Sequence, residues 1–195
     1  AFDPRVVGAP DNSRLRGYFQ SPKYFEHQLE IIVKEITSFD SPSPWYLAER
    51  QRLNTGADWI ALHVRRGDYV SGGVMGVTDA SYYSKALDLA ESLTGLKRVI
   101  VFSDDIESAK SLPALRDRKT VEFFDSPAAS SPLENLMLIS SAKHFITANS
   151  TFSWWAAFLG KSSKKVVICP RPWLDLPGWN DRDLHPRDWI TLGRS

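Results

Sequence analysis

Five short apolar runs, each followed by a stretch of helical periodicity, leave this chain few ways to fold. They are Trp59-Ile-Ala-Leu-His-Val64, Arg98-Val-Ile-Val-Phe102, Thr120-Val-Glu-Phe-Phe124, His144-Phe-Ile-Thr147 and Lys165-Val-Val-Ile-Cys169. Between them, helices are expected over 79–93, 105–112, 132–142 and 150–159. Successive strands separated by helices pair in parallel, because a parallel partner needs a crossover rather than a tight turn. Continuous rather than alternating hydrophobicity means both faces of the sheet are covered. The fold class is therefore α/β, a Rossmann-like parallel sheet of about five strands with helices on both faces. Upstream, Phe25, Leu29, Ile32, Val33 and Ile36 fall at helical spacing, with Ser21 as cap and Pro22 at the first helical position. Ser41-Pro-Ser-Pro44 ends that helix, and a second is expected over 45–53. The chain divides into an extended and helical lead-in over 1–56 and a Rossmann-like unit over 57–195, packed as one compact body. The Pro- and Trp-rich stretch from Pro170 to Trp189 reads as a tail packed over the domain.

Composition narrows the function by exclusion. The 195 residues carry 24 basic and 23 acidic side chains, a net charge of +1, so no global field selects nucleic acid. Any anion site must be built locally. Cys169 is the only cysteine, so no internal disulfide can form. No apolar run approaches the roughly 20 residues that span a bilayer, and Ala1-Phe-Asp-Pro4 lacks the basic start and apolar middle of a signal peptide. No Walker loop, dinucleotide glycine fingerprint or Gly-x-Ser-x-Gly elbow is present.

In open α/β sheets ligands gather at the carboxyl ends of the strands. Four chemistry-bearing segments are expected there, led by Arg65, Asp104, Asp125 and Asn149. Arg65 and Arg66 follow the first strand, where paired guanidinium groups can fork onto phosphate oxygens. Gly67 lets the backbone turn away, Asp68 can orient an arginine, and His63 lies close enough to line the same site. The plainer reading of Arg-Arg-Gly-Asp is a strand-end salt bridge. Asp104 and Asp105 follow the second strand; one is expected to accept hydrogen bonds from a base or ribose and the other to cap the next helix. A metal reading of this pair lacks further ligands, so no metal is expected. Asn149 is placed at the cap of the last helix, with Ser150, Thr151 and Ser153 in its first turn, where free N–H groups and the positive helix end favour an anion. The plainer reading is a well-capped helix whose Phe152, Trp154 and Trp155 fill core. Asn149-Ser-Thr151 is also a glycosylation triplet, discounted at a strand-to-helix turn.

His63-Val-Arg-Arg-Gly-Asp-Tyr69 and Asn149-Ser-Thr-Phe-Ser-Trp-Trp-Ala-Ala157 together resemble the α-1,2-fucosyltransferases of glycosyltransferase family 11. Gly17-Tyr-Phe-Gln-Ser21, Val101-Phe-Ser-Asp-Asp105 and Ser131-Pro-Leu-Glu-Asn-Leu-Met137 resemble the same family in the same order. The resemblance covers about 17–173 and implies the nucleotide-sugar-binding half of a GT-B-like glycosyltransferase. It implies an inverting, metal-independent transfer of L-fucose from GDP-β-L-fucose to a sugar hydroxyl, in α-1,2 linkage to galactose. GDP-fucose is then the donor substrate, no cofactor is expected, and the partner is a glycan acceptor. Arg65 would grip the diphosphate and steady its charge as the sugar–phosphate bond breaks, with Arg66 beside it and Asp68 the nearest base. His63 would line the nucleotide, Asp104 or Asp105 would read guanine, and Ser150, Thr151, Phe152 and Ser153 would embrace phosphates and ribose.

The family's glycine-rich opening segment, of the Gly-Gly-Leu-Gly-Asn-Gln type, does not occur in this sequence. Two other functions therefore stand beside the first: a non-catalytic or truncated GDP-sugar-binding module, and a fucosyltransferase with a peptide or other glycan acceptor. Association, either with a second copy or with an amino-terminal portion, is expected if a half-domain face is exposed. A bacterial cytoplasmic location is expected, or the Golgi lumen if the chain is part of an animal-type enzyme.

Overall fold

The computed structural model describes residues 2–17, 19, 21–39, 41–67 and 76–194. Two 3-10 turns, Pro22–Tyr24 and Glu26–Gln28, lead into α1 (Leu29–Thr37), where the sequence suggested one continuous helix. Ser21 caps the first turn as expected, accepting from the Lys23 N–H. Helix α2 (Pro44–Asn54) starts at Ser43, and the buried Glu134 carboxylate accepts the Ser43 N–H at 2.6 Å and its hydroxyl at 2.9 Å. The remaining elements are β1 (Ile60–Val64), α3 (Ala80–Thr94), β2 (Val99–Ser103), α4 (Ile106–Lys110), α5 (Pro113–Arg116), β3 (Val121–Phe123), α6 (Pro132–Ser140), β4 (His144–Ile146), α7 (Thr151–Leu159), β5 (Val167–Arg171) and β6 (Ile190–Gly193).

All five strand pairings are parallel and the order is β3-β2-β1-β4-β5-β6. That is the doubly wound order, and its direction reverses between β1 and β4. Strand β6 is an addition to the five strands expected. No helix separates it from β5, and Pro186 and Trp189 disguise its start, so the sheet resumes directly after the stretch read as a tail.

Apolar residues alternate between two cores. Ile60, Leu62 and Val64 face α3 and the Ala109–Leu115 region, whereas Ala61, Ile100 and Phe102 face α2, α6 and α7. Helix α3 is bounded by local chemistry: Asp79 accepts the Tyr82 N–H at 3.0 Å, and Gly95 closes it at φ 70°. Helix α7 is fixed from its far end, where the Lys165 ammonium donates to the carbonyls of Ala157, Phe158 and Gly160 at 2.8–2.9 Å. A cation on those carbonyls satisfies the helix end and complements its dipole. The amino end of α7 is thereby left at the strand-end rim. No helix among the described residues is long and apolar enough to cross a membrane.

Candidate functional site

The reversal between β1 and β4 opens the sheet at its carboxyl edge, and that is where a doubly wound fold takes its ligand. Leu62 pairs with Ile146 across the β1–β4 seam, and Val64 pairs with Ser103 across the β1–β2 seam. Arg65 and Arg66 thus emerge between the turn after β2 and the turn after β4.

Asp104 organises the first side of this crevice. One carboxylate oxygen accepts the Arg66 N–H at 3.0 Å and the other lies 3.3 Å from the Arg65 Nε. Gly67 approaches so closely that a Cβ there would sit 2.5 Å from the Asp104 Oδ2. The side chains of Arg65 and Asp104 keep 29% and 22% of their surface exposed, so the pair is anchored yet reachable. The Nε of Arg66 is buried without a hydrogen-bond partner. Asp105 is the cap of α4, accepting the Ser108 N–H at 3.0 Å and the Ser108 hydroxyl at 2.6 Å. Those bonds hold its carboxyl below the usual range. Of the two aspartates, Asp104 orients the arginine loop and Asp105 caps a helix.

His63 is the buried wall between the seams. Its ring lies 5.8 Å from that of Phe152, and its Nδ1 is buried without a partner. Burial holds its pKa down to about 4, the Arg65 charge adds to that, and the Asp104 carboxylate opposes it. The imidazole is therefore neutral at pH 7.

The turn after β4 is built differently from the sequence expectation. Ser150, not Asn149, occupies the cap position of α7, and its side chain makes no capping bond. Asn149 is only 1% exposed and acts as a hub. Its Oδ1 accepts from the Thr78 hydroxyl at 3.0 Å, and its Nδ2 donates to the carbonyls of Gly76 at 3.0 Å and Trp173 at 3.1 Å. The Ser153 hydroxyl turns back to the Ser150 carbonyl at 3.1 Å. A buried amide can donate to two carbonyls while accepting from a third group, which a hydroxyl with its single proton cannot, and so Asn149 takes the interior. Thr151 is exposed and Phe152 half-buried, so the first turn of α7 presents these two side chains and its backbone N–H groups to the rim.

Several neighbours escaped the sequence. Tyr82 donates from its hydroxyl to the Thr147 carbonyl at 2.8 Å, tying α3 to the β4 turn. Tyr83 is fully buried beside Thr78, Arg66 and the Arg65 backbone, and burial pushes its phenol up. Arg194, at the end of β6, pairs with Asp175 at 3.0 Å and packs on Gly76, where a Cβ would run into its guanidinium and φ is 63°. Unlike Arg65 it carries no sequence signal, because Ile190-Thr-Leu-Gly193 before it is not an apolar run. Asp68 lies outside the described residues, as do Tyr18, Gln20 and Tyr69. No group of three His, Cys, Asp or Glu side chains gathers among the described residues.

A family model for glycosyl transferase family 11 matches residues 5–193. The chain belongs to that family. The Escherichia coli protein named O-antigen biosynthesis glycosyltransferase WbnK is 36% identical over 70% of this chain and 45% of its own length. An Escherichia coli alpha-1,2-colitosyltransferase is 29% identical over 98% of this chain and 67% of its own length. The mouse (Mus musculus) galactoside 2-alpha-L-fucosyltransferase Sec1 is 31% identical over 75% of this chain and 42% of its own length. The chain spans about half the length of the curated relatives it matches. Within this family 11 chain, the arginine loop and the β4–α7 turn meet at the switch point of one Rossmann-like sheet.

Proposed function

We propose that this chain carries the donor-binding half of an inverting α-1,2-fucosyltransferase that uses GDP-β-L-fucose. The observation that carries the reading is the pair Arg65–Asp104 at the β1–β4 switch point, where a guanidinium is aimed by a carboxylate yet stays reachable. Arg65 grips the donor diphosphate, and Arg66 adds a second cation whose Nε is buried without a partner. As the fucosyl C1–O bond breaks, negative charge accumulates on the departing GDP while the sugar becomes oxocarbenium-like. A preoriented cation is stronger against that developing charge than against the ground state. The acceptor hydroxyl attacks from the opposite face, converting the β donor into an α product, and its proton passes to a base for which Asp68 is the candidate. Neutral His63 and Phe152 wall the nucleotide, and the N–H groups opening α7 face the phosphates. Arginine charge does this work without a metal ion in the proposed reaction, so activity in excess EDTA is expected to match that without it. The acceptor is a galactoside.

The test is calorimetric titration with GDP, ADP and UDP, followed by transfer assays with fucosyl and colitosyl donors. Selective GDP binding, weakened about 100-fold in Arg65→Ala, is expected, since an aimed charge-assisted contact contributes roughly 2.7 kcal/mol. Equal affinity for the three nucleotides, or unchanged binding in Arg65→Ala, would overturn the reading. Binding without transfer would leave a GDP-sugar-binding module.

A further inference from the structure

The chain leaves β5 at the same rim, and one buried carboxylate dictates its path. Asp181 is 8% exposed. Its Oδ2 accepts the Trp173 N–H at 3.0 Å and its Oδ1 pairs with the Arg171 Nε at 3.2 Å. Arg171 is the last residue of β5, and Trp173 is itself only 2% exposed. The other side of the same residue is held as well, because the Trp173 carbonyl accepts from Asn149 at 3.1 Å. Trp173 is thus gripped through its N–H by Asp181 and through its carbonyl by Asn149. From Asn149 the chain of contacts runs on to Gly76 and Thr78, and directly into the first turn of α7.

We infer that Asp181 is a positioning residue for the donor site, holding Trp173 so that Asn149 can lock the β4–α7 turn against the segment that follows the arginine loop. This rests on the donor reading above for its consequence, but the clamp is a property of the fold. The physical case is the direction of the bonds. A buried carbonyl has to be aimed to accept from an amide that is already committed to two other partners. Without Asp181, the Trp173 N–H is orphaned in the interior, and an orphaned buried donor drives the local backbone to rearrange towards water. Because Trp173 carries the carbonyl that Asn149 uses, the rearrangement reaches the turn bearing Thr151 and Phe152. Arg171 contributes less. Its side chain is 53% exposed, so its ion pair with Asp181 is screened by solvent.

The experiment compares the wild-type chain, Asp181→Ala, Asp181→Asn and Arg171→Ala at a temperature well below unfolding. Amide hydrogen exchange is read at 76–82 and 150–154, and GDP affinity is read by calorimetry. Asp181→Ala is expected to speed exchange in both segments by about tenfold or more and to weaken GDP by about tenfold. Asp181→Asn keeps an oxygen for the Trp173 N–H and is expected to restore both to within about twofold, as is Arg171→Ala. A general loss of stability would not be rescued by asparagine in this local pattern. If the alanine variant does not fold, Asp181→Glu, which displaces the oxygens by one methylene, must show the same two local losses. Unchanged exchange at 76–82 and 150–154 overturns the clamp whatever GDP does. Unchanged GDP affinity, with wild type binding GDP, overturns the positioning role. Faster exchange in a chain that binds no GDP in any form supports the clamp and removes the donor reading instead.

Discussion

The two sides of the strand-end crevice use polar residues in opposite ways. On the β1 side, Asp104 engages the Arg66 N–H and the Arg65 guanidinium with its two oxygens, and both arginine side chains stay half-buried at the crevice. On the β4 side, Asn149 and Ser153 turn inward and spend their polar atoms on the protein, leaving Thr151 and backbone to meet the rim. One side offers side-chain charge held by a scaffold; the other is the scaffold. Residues from both motifs are equally close in sequence to the site, so proximity alone does not predict which will touch a ligand.

The sharpest break between the two sides is Asn149→Ala. It leaves the Thr78 hydroxyl, the buried Trp173 carbonyl and the part-buried Gly76 carbonyl without their partner, at a cost of about 1–3 kcal/mol for each group that finds no substitute. A loss of about 4 kcal/mol in urea-unfolding stability is expected, because partial relaxation spares part of the sum. Should the variant unfold at the wild-type midpoint, the hub is not what holds the β4 side together.

A smaller effect separates buried from reachable groups on the β1 side by pH. His63 is held down to about 4 against an ordinary value of 6.5, chiefly by burial. Above pH 6.5 neither state carries the proton and nothing is contributed. Between 6.5 and 4 the unfolded chain takes up a proton that the folded chain refuses, so stability falls as pH falls. The full window corresponds to about 3 kcal/mol. His185, packed between Trp173 and Trp189, is also held to about 4 by burial and adds a second contribution of the same sign. His63→Gln should therefore flatten the wild-type loss between pH 6.5 and 4 by about 3 kcal/mol. Parallel stability curves for the two proteins would mean that His63 is not buried neutral.

Gly67→Ala probes the β1 side without touching charge. Its Cβ would meet the Asp104 carboxylate at 2.5 Å, so either the loop or Asp104 must move. GDP affinity is expected to fall about tenfold, with stability within about 1 kcal/mol of wild type because the loop is on the surface. An unfolding midpoint that drops while GDP affinity holds would reverse the assignment of scaffold and ligand-facing side.

The sheet was legible because its signal is repeated: each of the five apolar runs overlaps a strand, and each intervening helix appears with its ends shifted by a few residues. What was hidden depended on orientation. Asn149 and Thr151 both lie in a polar stretch that opens a helix, yet one is 1% exposed and the other faces solvent. Nothing in residue type distinguishes them, because the direction of Asn149 is set by Gly76, Thr78 and Trp173, all remote in sequence. Strand β6 was hidden for a related reason. Its four residues alternate between half-buried and exposed, and only pairing with Ile168–Arg171 makes them sheet.

Ser153→Ala carries the smallest effect and isolates what the comparison claims. Family resemblance places Ser153 among the residues that embrace the donor, whereas its hydroxyl is buried and donates to the Ser150 carbonyl at 3.1 Å. That carbonyl also accepts the Trp154 N–H at 2.9 Å, so removing the hydroxyl leaves it satisfied. The loss is then one hydroxyl donor shared between the Ser150 carbonyl and the Ala148 carbonyl at 3.3 Å, about 1 kcal/mol, partly offset because alanine is the better helix former. GDP affinity should be unchanged within about twofold, since the N–H groups that open α7 stay where they are. A tenfold loss of GDP affinity at unchanged stability would show the hydroxyl rotating out to the ligand, and the β4 side would then supply a polar group from its interior beside Thr151, Phe152 and backbone.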